Sequence, residues 1–370
     1  MYKDQSKDKS EPGLGKTIID DLRRGDFSKN LSREWKELKE FFITEERKKR
    51  LEAMNRFSKF IYLTGWLLKS LYLKLPPTRR VLILIAVLLL LIGHQIGNAN
   101  PLQGNGNEFV IASGLILLFI LMLELKDKLL ARNELEAGRS VQNALMPEEA
   151  PQFNGWSIWL FTRPANDVGG DLVDFIRLSG NKCGMAIADI AGKGLGAALL
   201  MAKLQATLRA FTDVYPTLSE LASKINAIFY RDTLPHSFAS IIYLVAESNS
   251  GNVRLFNAGH MLPMLVRADS VTELPKTSPA FGIMQNAEYQ EQEINVDAGD
   301  YLFLYSDGLT ESVNQYDEFF GVDRLKMILP RLKHLSAPEI GKRLIDEVEY
   351  FSGDSPSHDD LSMIIMKRII

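Results

Sequence analysis

The chain has 370 residues, 46% of them hydrophobic and 24% charged, a composition that fits a folded protein and excludes wholesale disorder. Its formal net charge of −3 hides a split: residues 1–80 carry 20 Lys and Arg against 12 Asp and Glu, and residues 81–370 carry 23 against 34. The single cysteine, Cys183, excludes an intramolecular disulfide and points to a reducing compartment, and with an acidic body no nucleic-acid partner is expected.

Residues 1–30 are polar and rich in Lys, Asp, Ser and Gly, and are expected to be disordered. Gly13-Leu14-Gly15-Lys16-Thr17 looks like the end of a P-loop, but the place of its first glycine is taken by Ser10 and no strand precedes it, so the reading fails. No secretory signal peptide is expected, because the first apolar run comes late. Residues 31–80 read as a basic amphipathic helical segment. A charged helical pattern ends in Arg47-Lys48-Lys49-Arg50, and Phe60, Leu63, Leu67 and Leu71 then recur at helical spacing beside Tyr62, Trp66 and Tyr72. Such a stretch suits a helix lying on a membrane surface.

Residues 81–125 read as two transmembrane helices, about 81–97 and 108–125. The runs Val81 to Ile92 and Phe109 to Leu123 have no polar face, and spanning takes roughly 20 apolar residues. Arg79 and Arg80 precede the first run, Lys126, Lys128 and Arg132 follow the second, and the loop 98–107 between them is uncharged. The positive-inside rule then gives a multi-pass protein of the inner (cytoplasmic) membrane, with its N-terminus and C-terminal domain cytoplasmic. A linker helix is expected over 126–149, its heptad pattern broken at Gly138, and Pro147 and Pro151 mark the boundary of a domain over 150–370.

In that domain, strands are expected at 156–163, 172–178, 183–189, 238–247, 252–258, 261–267, 290–296, 301–306 and 361–367. Helices are expected at 195–213, 217–232, 321–333 and 338–351. Strands and helices do not alternate one for one, which favours an α+β layered sandwich over a doubly wound sheet. Gly192 to Ala197 formally fits a dinucleotide loop, G-x-G-x-x-A, but two consecutive helices follow it where a βαβ unit would need a strand.

Acids mark the strand ends. Asp171 follows Gly169-Gly170, with Asp174 three residues on; Asp189 ends a strand; Asp307 follows Tyr301 to Tyr305; Asp359 and Asp360 precede the last strand. One such Asp is ordinary turn chemistry. The same arrangement in four segments, with no Cys or His cluster nearby, suits hard divalent ions bound by carboxylates.

Eight blocks then carry a resemblance: Gln142 with Leu145-Met146-Pro147; Val168-Gly169-Gly170-Asp171 with Asp174; Asp189 to Gly194 with Ala197-Ala198; Asn257-Ala258-Gly259-His260; Gly299-Asp300; Ser306 to Glu311; Phe320-Gly321 with Leu325; and Asp359-Asp360. From about residue 140 the chain resembles the PPM (protein phosphatase 2C-like) serine/threonine phosphatases of the bacterial SpoIIE/RsbU type. The resemblance implies a PPM-type αββα layered sandwich and two Mn²⁺ or Mg²⁺ ions. Asp189 would bridge the ions, the Ile190 carbonyl would ligate one, and Asp171, Asp307 and Asp359 would supply the other carboxylates. Catalysis would turn on Asp189 and Asp307, with Asp174 and Asp360 as outer-shell or third-metal candidates. It implies direct hydrolysis without a phosphoenzyme, by water activated between the ions.

Two features depart from the eukaryotic branch of the family: no histidine follows Asp189, and no phosphate-binding arginine stands out. His260 reads as a turn residue. The expectation is a membrane-anchored phosphoserine/phosphothreonine phosphatase acting on a phosphorylated anti-sigma-factor antagonist of the STAS type, with a homodimer left open. The alternative is a catalytically silent scaffold that binds phosphoproteins. Control is expected to reach the metal site through the 124–145 segment and the helices after Asp189.

Overall fold

The computed structural model describes residues 54–99, 106–233, 237–268, 270–276, 278–353, 355–357 and 359–369. The expectations for residues 1–30, for 31–53 of the basic segment and for most of the 98–107 loop lie outside them. The chain divides at Lys128 into two units.

In the first unit α1 spans Arg56–Lys74, α2 spans Pro77–Ala99, and α3 begins at Gly106 and runs to Leu145. Asn55 caps α1 by accepting a hydrogen bond from the Ser58 amide at 2.8 Å. Leu63 and Leu67 are buried with Met54 and Trp66 packed against them, while Leu71 is exposed. The 23 residues of α2 rise about 35 Å, enough for a hydrocarbon layer of about 30 Å. By length and composition alone, α2 and α3 could each cross a membrane. Leu84, Leu88 and Leu91 of α2 and Leu115, Leu118 and Leu121 of α3 are exposed, while Ala86 and Ser113 are buried against one another. There the Ser113 hydroxyl donates to the Ala86 carbonyl at 2.8 Å. Arg79 donates to Glu124 and to Asp127 near the ends of the apolar runs.

The linker is not a separate element, because α3 continues unbroken for 40 residues. Its interior glycine, Gly138, costs about 1 kcal/mol of helix propensity, too little to end a helix of that length. A Cβ there would lie in ordinary contact, 3.6 Å from Leu195 Cδ1, so packing does not require the glycine either.

The second unit is built from β1 (Trp156–Arg163), β2 (Leu172–Leu178), β3 (Lys182–Ile190), α4 (Leu195–Phe211), α5 (Leu218–Asp232), β4 (Ala239–Glu247), β5 (Asn252–Ala258), β6 (Met264–Arg267), β7 (Ser270–Glu273), β8 (Gln292–Asn295), β9 (Tyr301–Tyr305), α6 (Asp307–Thr310), α7 (Val322–Ile328), α8 (Ala337–Ser352) and β10 (Leu361–Arg368). A 3₁₀ turn, Leu329–Leu332, continues α7. The strands form two antiparallel sheets of five, in the orders β1-β10-β9-β6-β7 and β2-β3-β4-β5-β8.

Strand alternation sorts the apolar residues into three layers. Cys183, Met185 and Ile187 of β3 meet Leu302 and Leu304 of β9 and Ile364 and Met366 of β10 between the sheets. The other face of β3, Ala186, Ala188 and Ile190, packs under α4 and α5. The other faces of β9 and β10 pack under α7 and α8. The result is an αββα sandwich, within the layered α+β class that the strand and helix order favoured and in the arrangement that the resemblance implied. Two short elements went unread in the sequence. Ser270–Glu273 carries one apolar residue and is an edge strand held only by β6, and Asp307–Thr310 is a single turn.

Thr217 caps α5 by accepting from the Glu220 amide at 3.2 Å. At α8 the capping box is reciprocal, made by Ser336 and Glu339. Helix α8 lies against the fully buried Trp159, whose indole N–H donates to Glu149 at 2.6 Å. A Cβ on Gly341 would come within 2.1 Å of that ring. Gly341→Ala is therefore expected to lower stability by about 1–3 kcal/mol in chemical denaturation, the cost of overpacking a filled core. An unchanged midpoint would show that α8 can lift off Trp159 freely.

Candidate functional site

The same alternation that builds the core between the sheets carries polar groups to its end. Two residues beyond Ile187 the face of β3 that looks inward offers Asp189, and two before Val173 the β2 side offers Asp171. On β9 the series Leu302, Leu304 continues to Ser306; on β10 the series Met366, Ile364 continues back to Ser362 and Asp360; on β4 the series Leu244, Ile242 reaches Ser240. Register brings these ends together. Leu172 pairs with Ala188, Asp189 with Ser240, and Tyr305 with Met363. The two sheets are tied here by Asp360, whose Oδ2 accepts from the Gly170 amide at 2.7 Å and the Asp171 amide at 3.3 Å.

Burial and mutual repulsion set the electrostatics. Burial pushes the Asp189 carboxyl up to about 6, helped by the charges of Asp307, Asp359 and Asp360. Asp171, 4% exposed, is raised well above the usual carboxylate range by burial, opposed by the Ser362 and Ser306 hydroxyls and reinforced by the charges of Asp189 and Asp360. Asp307 is raised by burial and then by Asp359 and Glu311. Asp359 is half-exposed and lies 3.5 Å from the Lys193 ammonium. The structure thus gathers Asp171, Asp189, Asp307 and Asp359 at one end of the sandwich.

The donor chemistry fits a hard cation. Asp171 Oδ2 is buried without a hydrogen-bond partner. Gly170 keeps its own site clear: a Cβ there would stand 3.3 Å from the Ile190 carbonyl oxygen and 3.9 Å from Asp189 Oδ1. Oxygen donors, one of them unsatisfied, around repelling carboxylates are the environment a divalent ion relieves. Among the described residues no three carboxylate, imidazole or thiol groups stand close enough to form a closed ligand set as they are.

Asp174 is not brought to this cluster. It pairs with Ala186, three residues back along β3, and its carboxylate is taken by Arg209 of α4 at 2.6 and 2.8 Å. Asp360 is a loop clamp: its Oδ1 accepts from the Ala165 amide at 2.8 Å while Oδ2 holds Gly170 and Asp171. Gly308 lets the Asp307 turn press on the backbone beside it, since a Cβ there would meet the Asp360 carbonyl oxygen at 2.0 Å. Cys183 is buried and its thiol pushed up to about 12 by burial, an inert packing group.

Sequence reasoning missed the supports. Gln142, buried near the end of α3, uses its side-chain amide to donate to the Gly169 carbonyl at 2.9 Å and to accept from the Gly169 amide at 3.1 Å. Gln205 and Arg209 of α4 both donate to the Leu145 carbonyl, at 2.9 and 3.4 Å. The end of α3 therefore grips both the loop before Asp171 and the helix after Asp189. A signal existed for Ser240, Ser306 and Ser362: each is a polar residue at an inward-facing position of an otherwise apolar strand.

The glycine loop is also resolved. Gly192 and Gly194 have φ of 123° and 72°, and α4 and α5 then lead to β4, antiparallel to β3. A dinucleotide unit would have returned a parallel strand.

The family model for stage II sporulation protein E (SpoIIE) matches residues 179–369. The chain belongs to the SpoIIE family. It is 28% identical over 291 residues to protein IcfG of Synechocystis sp., covering 71% of this chain and 45% of that one. It is 25% identical over 241 residues to the phosphoserine phosphatase RsbU of Bacillus subtilis, covering 64% of this chain and 70% of RsbU. The chain thus spans about half the length of IcfG, the larger share being of RsbU. Among solved structures, the SiaA-PP2C domain of Pseudomonas aeruginosa aligns over 66% of this chain and 99% of that domain, with a TM-score of 0.57 at 18% identity. That likeness shows the PP2C-like fold.

A raised carboxyl destabilises the folded state wherever it must be ionised. For Asp189 the cost is complete above about pH 6 and absent below about pH 4, where the unfolded chain also protonates it. Without divalent ions, Asp189→Asn should stabilise the protein by about 1–3 kcal/mol at pH 7.5 and by little at pH 3.5. Denaturation at the two pH values checks this; equal effects would refute the raised carboxyl.

Proposed function

We propose that the chain is a membrane-anchored, metal-dependent phosphoserine/phosphothreonine protein phosphatase. The observation that carries the reading is the gathering of Asp171, Asp189, Asp307 and Asp359 from four segments at one end of the sandwich, with an unpartnered buried oxygen among them. Family membership and the similarity to RsbU support it. In this reading those four carboxylates and the Ile190 carbonyl would hold two Mn²⁺ or Mg²⁺ ions. Such ions, when bound, supply a water of lowered pKa and neutralise a phosphate's charge. The chain's own part is positional. Asp360 and Gln142 hold the Gly169-Gly170-Asp171 loop, and the glycine turn after Asp189 leaves open space beside the acids for a phosphorylated side chain to enter.

A binding-only scaffold would gain nothing from an acid as costly as Asp171, so catalysis is the better reading. The substrate class, a phosphorylated STAS-type anti-sigma-factor antagonist, rests on the similarity to RsbU-type proteins. Membrane anchoring rests on α2 and the first part of α3 as a hairpin, with Arg79, Arg80, Lys126 and Lys128 at its cytoplasmic ends.

The purified protein with Mn²⁺ should release phosphate from a phosphorylated STAS protein, and Asp189→Asn or Asp307→Asn should reduce the rate by at least about a hundredfold. A rate untouched by Asp189→Asn would end this reading. For the anchor, alkaline carbonate washing should leave the full chain in the membrane pellet. Release into the supernatant would place it at the surface instead.

A further inference from the structure

His260 is 2% exposed and sits at the acid-bearing end of the sandwich, yet none of the roles above uses it. Its position is over-determined. The Asn257 side chain accepts from the His260 amide at 2.8 Å and donates to the Met261 carbonyl at 3.1 Å. Gly259, with φ of 75°, lets the turn lie on Ala280, where a Cβ would come within 2.9 Å. So fixed, the ring meets Ser240 through Nδ1, 2.8 Å from Oγ. Its Nε2 is buried and makes no hydrogen bond, and the Tyr305 backbone of the other sheet lies near the ring.

Burial holds this imidazole neutral, pushing it down to about 4, so it carries one proton. With Nδ1 taken up by Ser240, the tautomer that carries its proton on Nε2 leaves Nδ1 as an acceptor. The Ser240 hydroxyl must then donate to Nδ1, and what remains on Oγ is lone pairs. Ser240 is the cross-strand partner of Asp189, on the same face of the sheet with Cβ atoms about 5 Å apart.

We infer that His260 is a positioning residue that fixes the Ser240 hydroxyl as a hydrogen-bond acceptor beside Asp189. A hydroxyl left to rotate would donate to the Asp189 carboxylate and blunt its charge. Held by His260 it instead adds an acceptor for a water bound next to the acids, as partners behind a metal site do. The inference rests on the metal-dependent reading above and deepens it, by naming a polar pair beside Asp189 on the neighbouring strand.

Two measurements on the full chain test it. Long-range ¹⁵N–¹H correlation at pH 7, with the His260 signal assigned by its loss in His260→Asn, should show a neutral ring protonated on Nε2. A ring protonated on Nδ1 or on both nitrogens would overturn the inference whatever the protein's activity. In Mn²⁺ titration calorimetry, Ser240→Ala and His260→Phe should each weaken binding by about tenfold, and the double variant by no more than either alone. His260→Asn, which keeps an acceptor where Nδ1 stood, should stay near the wild type. Wild-type binding by Ser240→Ala, or additive losses, would refute the coupling. Failure of the wild type to bind Mn²⁺ would instead strike the metal-dependent reading, and the ring's tautomer would still decide the hydrogen bond.

Discussion

Carboxylates confined between two apolar sheets repel one another, and the end of the sandwich is organised around that repulsion. Asp189 lies on the face that Met185 and Ile187 use for the core, so its charge is partly desolvated before any neighbour is considered. Asp307, Asp359 and Asp360 then add charge of the same sign. A fold optimised for stability alone would bury apolar groups there. Retaining acids at that cost is intelligible if a cation or a reacting group restores the balance.

Keeping repelling groups in place takes rigid support, and the support comes from outside the cluster. Asp360 uses both carboxylate oxygens on backbone amides of residues 165–171. Gln142 grips Gly169 from the end of a helix that also binds α4 through Leu145. Asp174 serves the same end differently, anchoring α4 to β2 through Arg209. Two of the acids marked by their place in the sequence thus hold loops and helices, and four are left close together at the end of the sandwich.

The division explains what the sequence disclosed and what it withheld. The strands were legible because apolar residues run along both faces of β3, β9 and β10, and glycines and acids punctuate their ends. The cluster was legible because four acids recur at the same place relative to a strand. What could not be read was which acid's oxygens are already occupied. Asp174 and Asp360 look like Asp171 in sequence, and only the positions of Arg209 and of the Ala165, Gly170 and Asp171 amides tell them apart. Helix α3 was read in two parts, an apolar run and a charged segment, because composition changes near Leu125. That change marks a change of surroundings and not an end of helix; the two parts form one helix from Gly106 to Leu145. The edge strand β7 carried too little apolar pattern to stand out.

The central claim is that this end of the sandwich is built to hold divalent cations. Anomalous diffraction at the manganese edge from crystals soaked in Mn²⁺ tests it most directly. The account predicts two peaks between the sheet ends, bound by oxygens of Asp171, Asp189, Asp307, Asp359 and the Ile190 carbonyl, and both lost in Asp189→Asn. Peaks elsewhere on the chain, or none at ion concentrations that support activity, would contradict it.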